Sequence, residues 1–216
     1  MKVIVFGATG GTGRLTARGL VAAGHQVTAF ARTPAALAGE TGLTVVQGDV
    51  MAAAPVAAAV AGQEAVVVCL GNSQNPFAMM LGAKRTTPAD VCAVGTRHII
   101  AGMQAAGVQR LLVVTAFGIG DNRDKMPFAF KLFYKTVLRE HMADKDVQEA
   151  AVKACSLNWV LIQPVGLTDG PATHTWLASP TGALRRQQIS RADVAAYLVG
   201  LVASGGNTRE TVALSG

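Results

Sequence analysis

Two hydrophobic rhythms alternate along this chain. Short, mostly apolar runs, the pattern of strands buried in a sheet, fall at Val3–Phe6, Gln26–Phe30, Leu43–Gln47 and Glu64–Leu70, the last holding Val66, Val67 and Val68 side by side. Arg110–Thr115, Leu157–Gln163 and a short Thr211–Leu214 continue the series. Between them, apolar positions return every three or four residues, as one face of a helix requires. Such segments run from Arg14 to Ala23, to about Ala61, from Thr87 to Ala106 with a stop at Gly107, and from Ser190 to about Ala203. Thr87-Pro88-Ala89-Asp90 predicts an N-cap, a proline at the first helical position and a capping-box acid, and Ser190-Arg191-Ala192-Asp193 predicts a second box. Strand–helix alternation with right-handed crossovers predicts an α/β fold, a doubly wound parallel sheet of Rossmann type. No repeat, linker or low-complexity tract breaks it, so residues 1–216 are expected to form a single domain.

Composition narrows the picture. At 216 residues, 50% of them hydrophobic, the chain can bury a large core without disulfide or metal staples. No apolar stretch is long enough for a membrane span, and Met-Lys-Val running straight into a glycine-rich turn predicts no signal peptide. Cys69, Cys92 and Cys155 are odd in number and far apart, which predicts free thiols, a reducing compartment and a cytoplasmic location. They show no metal spacing, and neither do His25, His98 and His141, so no metal is expected. The net charge of +6 comes from scattered basic residues. Scattered charge argues against a nucleic-acid partner, and phosphate ligands account for part of the excess.

Candidate chemistry starts at the first turn, Gly-Ala-Thr-Gly-Gly-Thr-Gly from Gly7 to Gly13. A buried strand that turns directly into a helix leaves the first helical N–H groups unpaired and aimed at whatever lies above the turn. A pyrophosphate fits there if no Cβ intervenes. Gly7 would make the tight turn, Gly10 would allow close approach, with Gly11 beside it, and Gly13 would let helix press on strand. Thr9 and Thr12 add hydroxyls. The spacing is G-x-x-G-x-x-G rather than the general G-x-G-x-x-G.

The end of the second strand selects the cofactor. An NAD site normally places a carboxylate there for the ribose 2′-hydroxyl. Here Ala31-Arg32-Thr33 has none. Arg32 suits a 2′-phosphate through a bidentate, permanently charged guanidinium, with Thr33 as a further hydroxyl, so NADP(H) is expected. In a doubly wound sheet the ligand lies across the carboxyl ends of the strands. Those ends carry Asp49 and Val50 near the adenine, Leu70 and Gly71 near the adenosine ribose, and Thr115, Ala116 and Phe117 near the nicotinamide. Pro164, Val165, Gly166 and Leu167 follow, where backbone groups are expected at the carboxamide.

These motifs, with Ala-Arg-Thr-Pro, Gly-Asp-Val, Cys-Leu-Gly, Thr-Ala-Phe-Gly and Gln-Pro-Val-Gly-Leu, resemble the atypical short-chain dehydrogenases/reductases. The likeness is greatest to the biliverdin-IXβ/flavin reductase group and the NmrA-like NAD(P)H-binding proteins, and runs from Met1 to about Val202. The resemblance implies NADPH and reduction of flavins, tetrapyrroles or quinones. Ordinary members use a Tyr and a Lys one helical turn apart. Here Tyr134 is followed by Leu138 and Tyr197 by Leu201, so that relay is absent. The resemblance places Thr115 where related reductases carry a serine beside the nicotinamide. It places Lys145, on the helix before Trp159, where they carry Lys or His, fit to bond the nicotinamide ribose or stabilise charge on a reduced acceptor. A second histidine of the family corresponds to about Gly166, a departure that bears on biliverdin specificity.

The substrate wall is expected near residues 72–86, 118–143 and 165–188. The stretch Asn122 to Met142, taken as irregular, interleaves Phe128, Phe130, Phe133 and Tyr134 with Lys125, Lys131 and Lys135, a setting for a flat anionic substrate. Phe117, Phe77, Met79, Met80 and His174 to Trp176 complete the candidate wall. Three functions fit: a reductase of conjugated acceptors, a non-catalytic NADP(H) sensor, and an isomerase that retains the cofactor. The expected partner is a small conjugated molecule, and the expected state a monomer or small homo-oligomer.

Overall fold

The computed structural model describes residues 1–72, 84, 86–126, 136–205 and 208–216. Phe77, Met79, Met80, Phe128, Phe130, Lys131, Phe133, Tyr134 and Lys135 lie outside the described residues.

Strand β1 (Lys2–Phe6) leads through the glycine turn into α1 (Gly11–Ala22), and β2 (Gln26–Ala31) lies parallel to β1, pairing Val3 with Val27. Then come β3 (Leu43–Gln47), α2 (Ala53–Val60), β4 (Ala65–Val68), α3 (Val91–Ala106) and β5 (Arg110–Val114). Helix α4 (Arg139–Ala154) precedes β6 (Asn158–Pro164) and the short strands β7 (Gly166–Thr168), β8 (Leu177–Ser179) and β9 (Gln188–Ser190). Helix α5 (Arg191–Ser204) and β10 (Glu210–Ser215) close the order. The main sheet runs β3-β2-β1-β4-β5-β6-β10-β8, parallel except for β8, while β7 and β9 form a separate parallel pair. This is the doubly wound sheet the alternation predicts.

Side-chain alternation splits the core between the two faces of the sheet. Val3, Val5, Val67, Leu112 and Ile162 point to the side covered by α1 and α5. Ile4, Phe6, Val66, Leu111 and Leu161 point to the side covered by α2, α3 and α4. Fully buried central strands explain the unbroken valine runs.

Two elements depart from expectation. Helix α3 opens at Val91 rather than near Thr87, and Asp90 makes no side-chain cap bond. The carboxylate that serves its N-terminus comes from α4: Asp144 accepts from the amides of Cys92 at 2.9 Å and Ala93 at 2.8 Å. The second capping box forms as expected, with Ser190 accepting from the Asp193 amide at 2.9 Å. Asp193 also accepts from the backbone of Thr173 and His174 and so pins the loop after β7. Burial pushes its carboxyl up, but these bonds and that from the Ser190 hydroxyl outweigh burial and hold it below the usual carboxylate range. Finally, α4 begins inside the stretch taken as irregular. Its buried residues are Asp144, Gln148, Glu149 and Val152, so it presents the apolar periodicity of a packed helix at only one position.

Candidate functional site

The glycine turn is built as its spacing requires. Gly7 sits at φ +81°, where a Cβ would overlap the Cys69 carbonyl oxygen, so the turn and the neighbouring strand need glycine together. A Cβ on Gly13 would overlap the Gly7 carbonyl oxygen and stand 2.8 Å from its carbon, so α1 rests on the turn backbone. Gly10 differs: its Cβ would meet only the Gly7 oxygen, at 3.4 Å. Gly10 is also the N-cap of α1 and offers no side-chain cap, and the first turn carries no acidic residue. The opening N–H groups of α1 are therefore left for an anion.

In front of this turn lies a cavity of about 330 Å³, within the size of a ligand cleft. Gly7, Thr9, Gly10 and Gly11 line one end, and Arg32, Val50, Leu70 and Gly71 come from the tips of β2, β3 and β4. Eight expected contacts thus share one cleft. Thr87 and Val91, from the entry to α3, and Phe30, Gly48 and Cys69 also line it, a placement that local patterning does not predict. Arg32 is exposed beside Thr87, with Nη2 3.5 Å from its hydroxyl. His98 Nδ1, 2.9 Å from the Val50 carbonyl, holds the turn after β3. Thr12, Thr33 and Asp49 do not line this cleft. The Thr12 carbonyl accepts from the Thr16 hydroxyl, Thr33 precedes a 3-10 turn, and Asp49 accepts from the Met51 amide at 3.0 Å.

Farther along the carboxyl edge, Lys145 reaches from α4 to the ends of β4 and β5. Its Nζ donates to the carbonyls of Leu70 at 3.3 Å and Val114 at 3.2 Å. The ammonium thus bridges the expected ribose turn and the start of Thr115-Ala116-Phe117. The Thr115 hydroxyl is turned back toward α4 and donates to Glu149 Oε1 at 2.6 Å. Phe117 is buried in the core on the α5 side, with its amide on the Pro164 carbonyl. The amides of Val165 and Gly166 are bonded to Leu214 and Gln187, and Leu167 lies in β7, so the Val165 and Gly166 amides are not free for a carboxamide. Burial pushes the Cys69 thiol up to about 12, against the pull of Lys145. It stays protonated at neutral pH and is no thiolate nucleophile.

Several side chains acquire a place only through folding. Arg191 lies over the first residue of α1: a Cβ on Gly11 would stand 2.8 Å from its Cδ and 3.2 Å from its Nε. Its guanidinium donates to Asp169 at 2.7 Å. Of the expected substrate wall, Lys125 donates to the Thr181 carbonyl at 2.7 Å, and Trp176 packs edge-on to Tyr197 of α5, with ring centroids 6.1 Å apart. A second cavity, about 480 Å³, is lined by the β7–β9 pair and the loops beside it, with Pro171, Thr173, Arg185, Arg186 and Asp193 in its lining. Among the described residues, no group of three His, Cys, Asp or Glu is placed to hold a metal, and no helix is long and apolar enough to cross a membrane.

Known proteins share this fold. A family model described as NAD(P)H-binding matches residues 7–204. An uncharacterised chloroplast protein of Arabidopsis thaliana is 25% identical over 92% of this chain and 70% of its own length. Among solved structures, ChuY, an anaerobillin reductase from Escherichia coli O157:H7, superimposes with a TM-score of 0.78 at 24% identity, over 100% of this chain and 97% of its own. The oxidoreductase ylbE of Lactococcus lactis gives 0.81 at 17% identity, over 100% and 90%. A short-chain dehydrogenase/reductase of Veillonella parvula, solved in complex with NADP, gives 0.77 at 16%, over 100% and 94%. With the glycine turn, the open N-terminus of α1 and a family match spanning nearly the whole chain, this protein belongs to the NAD(P)H-binding family and has its Rossmann-type fold.

Proposed function

We propose that this protein is an NADPH-dependent oxidoreductase that reduces a flat conjugated acceptor of the flavin, quinone or tetrapyrrole kind. The reading is carried by one observation: the glycine turn at the end of β1 lies between Arg32, just past the end of β2, and Lys145, whose ammonium bonds the ends of β4 and β5. Arg32 would hold the 2′-phosphate, the α1 amides the pyrophosphate, and Lys145 the nicotinamide ribose. The bound cofactor supplies a hydride. Lys145 would also stabilise negative charge as it grows on the acceptor, and Thr115 would orient the reacting groups. ChuY and ylbE carry reductase and oxidoreductase names, in line with this reading. The proposal includes a small conjugated molecule as partner, no nucleic acid, a cytoplasmic setting, and a monomer or small homo-oligomer.

Replacing Arg32 by Ala removes one charge-assisted contact, about 1.5–3 kcal/mol, so NADPH should bind about tenfold or more weaker with NADH nearly unchanged. Equal losses for both cofactors in calorimetry would show that Arg32 serves structure instead. The activity itself is tested by NADPH oxidation with FMN, quinones and dichlorophenolindophenol. Thr115→Val and Lys145→Ala should each lower turnover by about 10–10³-fold and change NADPH affinity less. Variants that match wild type would remove both residues from the chemistry. The sensor reading draws on the missing Tyr/Lys pair, since Tyr134 is followed by Leu138 and Tyr197 by Leu201. Tight NADPH binding without turnover on any acceptor would favour it.

A further inference from the structure

Glu149 stands one helical turn after Lys145 and is 1% exposed. Its Oε1 accepts from the Thr115 hydroxyl at 2.6 Å and from Gln163 Nε2 at 2.7 Å. Gln163 is itself held, accepting from Asn122 at 2.7 Å and donating to the Ile119 carbonyl at 3.3 Å. The other oxygen, Oε2, is buried without a hydrogen-bond partner among the described residues. Gly120, at φ +49°, brings its backbone so close that a Cβ would stand 2.5 Å from Oε2.

The surrounding charges make their hydrogen bonds elsewhere, and Lys153 meets the carboxyl only as a long ion pair. Lys153 Nζ is 3.9 Å from Oε2 and bonds Asp121 at 2.7 Å. Lys145 is on the Leu70 and Val114 carbonyls, and Asp146 is paired with Arg123 at 2.6 Å. Asp144 and Gln148 turn to α3, and β5 and β6 present the neutral Thr115 and Gln163. An ionised carboxylate there would leave one oxygen bare of donors, whereas the neutral acid, with its proton on Oε1 and donated to the Thr115 oxygen across the same 2.6 Å contact, leaves only a carbonyl oxygen so. Burial accordingly raises the Glu149 carboxyl above its ordinary range, against the hydrogen bonds of Thr115 and Gln163.

We infer that Glu149 is a positioning residue that holds a proton behind Thr115 and passes it through the Thr115 hydroxyl to the reduced acceptor. The inference rests on the reductase reading above. The acceptor gains a hydride, and two electrons with it, as NADPH becomes NADP⁺. The resulting anion takes the Thr115 hydroxyl proton, and the Thr115 oxygen takes the Glu149 proton. The carboxylate left behind regains a proton from water after product release.

Glu149→Gln keeps the shape and an acceptor oxygen for Thr115 and Gln163 but holds no titrating proton. In wild type, kcat with a quinone or flavin should fall as pH rises through the raised carboxyl pKa. In Glu149→Gln it should be at least about tenfold lower at the low-pH end and flat across that window, with NADPH Kd unchanged. Thr115→Val should flatten the profile as well. Infrared difference spectra of wild type should show a protonated carboxyl band that Glu149→Gln lacks, and Thr115→Val retains. Stability gives a parallel readout. A carboxyl with a raised pKa stabilises the fold fully below its unfolded pKa and loses that contribution as pH rises through the folded value. Wild type should therefore lose stability relative to Glu149→Gln as pH climbs from the ordinary carboxylate range upward. Turnover with an unchanged Glu149→Gln profile, or no protonated band in wild type, overturns the relay alone. A wild type that reduces no acceptor overturns the proposed activity and the relay with it.

Discussion

Gly13→Val should cost more than about 4 kcal/mol of the 5–15 kcal/mol typical of a domain. The new Cβ would overlap the Gly7 carbonyl oxygen and approach the Ala8 Cα to 3.2 Å. Both obstacles are backbone atoms, so no rotamer relieves them. Helix α1 would have to lift from β1, and it also packs against α5 on the same face of the sheet. Urea unfolding should show a much lower midpoint with little change in slope. A midpoint within error of wild type would mean that the turn adapts and that helix–strand contact is not what requires glycine.

Gly10→Val should separate binding from folding. Gly10 has φ −79° and ψ 162°, ordinary extended backbone open to valine, and its Cβ would meet only the Gly7 oxygen at 3.4 Å. The fold should survive, with a loss near 1 kcal/mol for a β-branched N-cap. The two γ-methyls would then stand in the cleft at the open end of α1, where close approach of an anion requires bare backbone. NADPH affinity should fall by about 100-fold or more, roughly 2.7 kcal/mol. Calorimetry on a variant with near-native Tm is the test. Unchanged affinity would reduce the glycines to a structural turn.

These two positions also show what is legible in a linear pattern. Glycine spacing after a buried strand and before a helix encodes a local geometry, because a sharp turn and its first helical N–H groups involve only neighbouring residues. The strand tips are equally local, and Arg32, Val50, Leu70 and Gly71 all reach the cleft. The Asp90 cap failed for the opposite reason. The carboxylate on α3 is Asp144, from a helix far along the chain. Helix α4 itself was missed at its start because it buries Asp144, Gln148 and Glu149 where an amphipathic helix would bury apolar residues.

Alternating strand and helix, the glycine turn, the missing acid after β2 and the absence of a Tyr/Lys pair follow from residue order alone, since each depends on short-range geometry or on which residue types are present. Tertiary structure decided the rest: that Lys145 bridges the carbonyls of Leu70 and Val114, that Arg191 lies over Gly11, and that the Thr115 hydroxyl turns to a buried Glu149. Those contacts join elements whose spacing along the chain carries no period. Their chemistry arises only where packing removes water from a carboxyl and leaves it the few donors that the neighbouring strands provide.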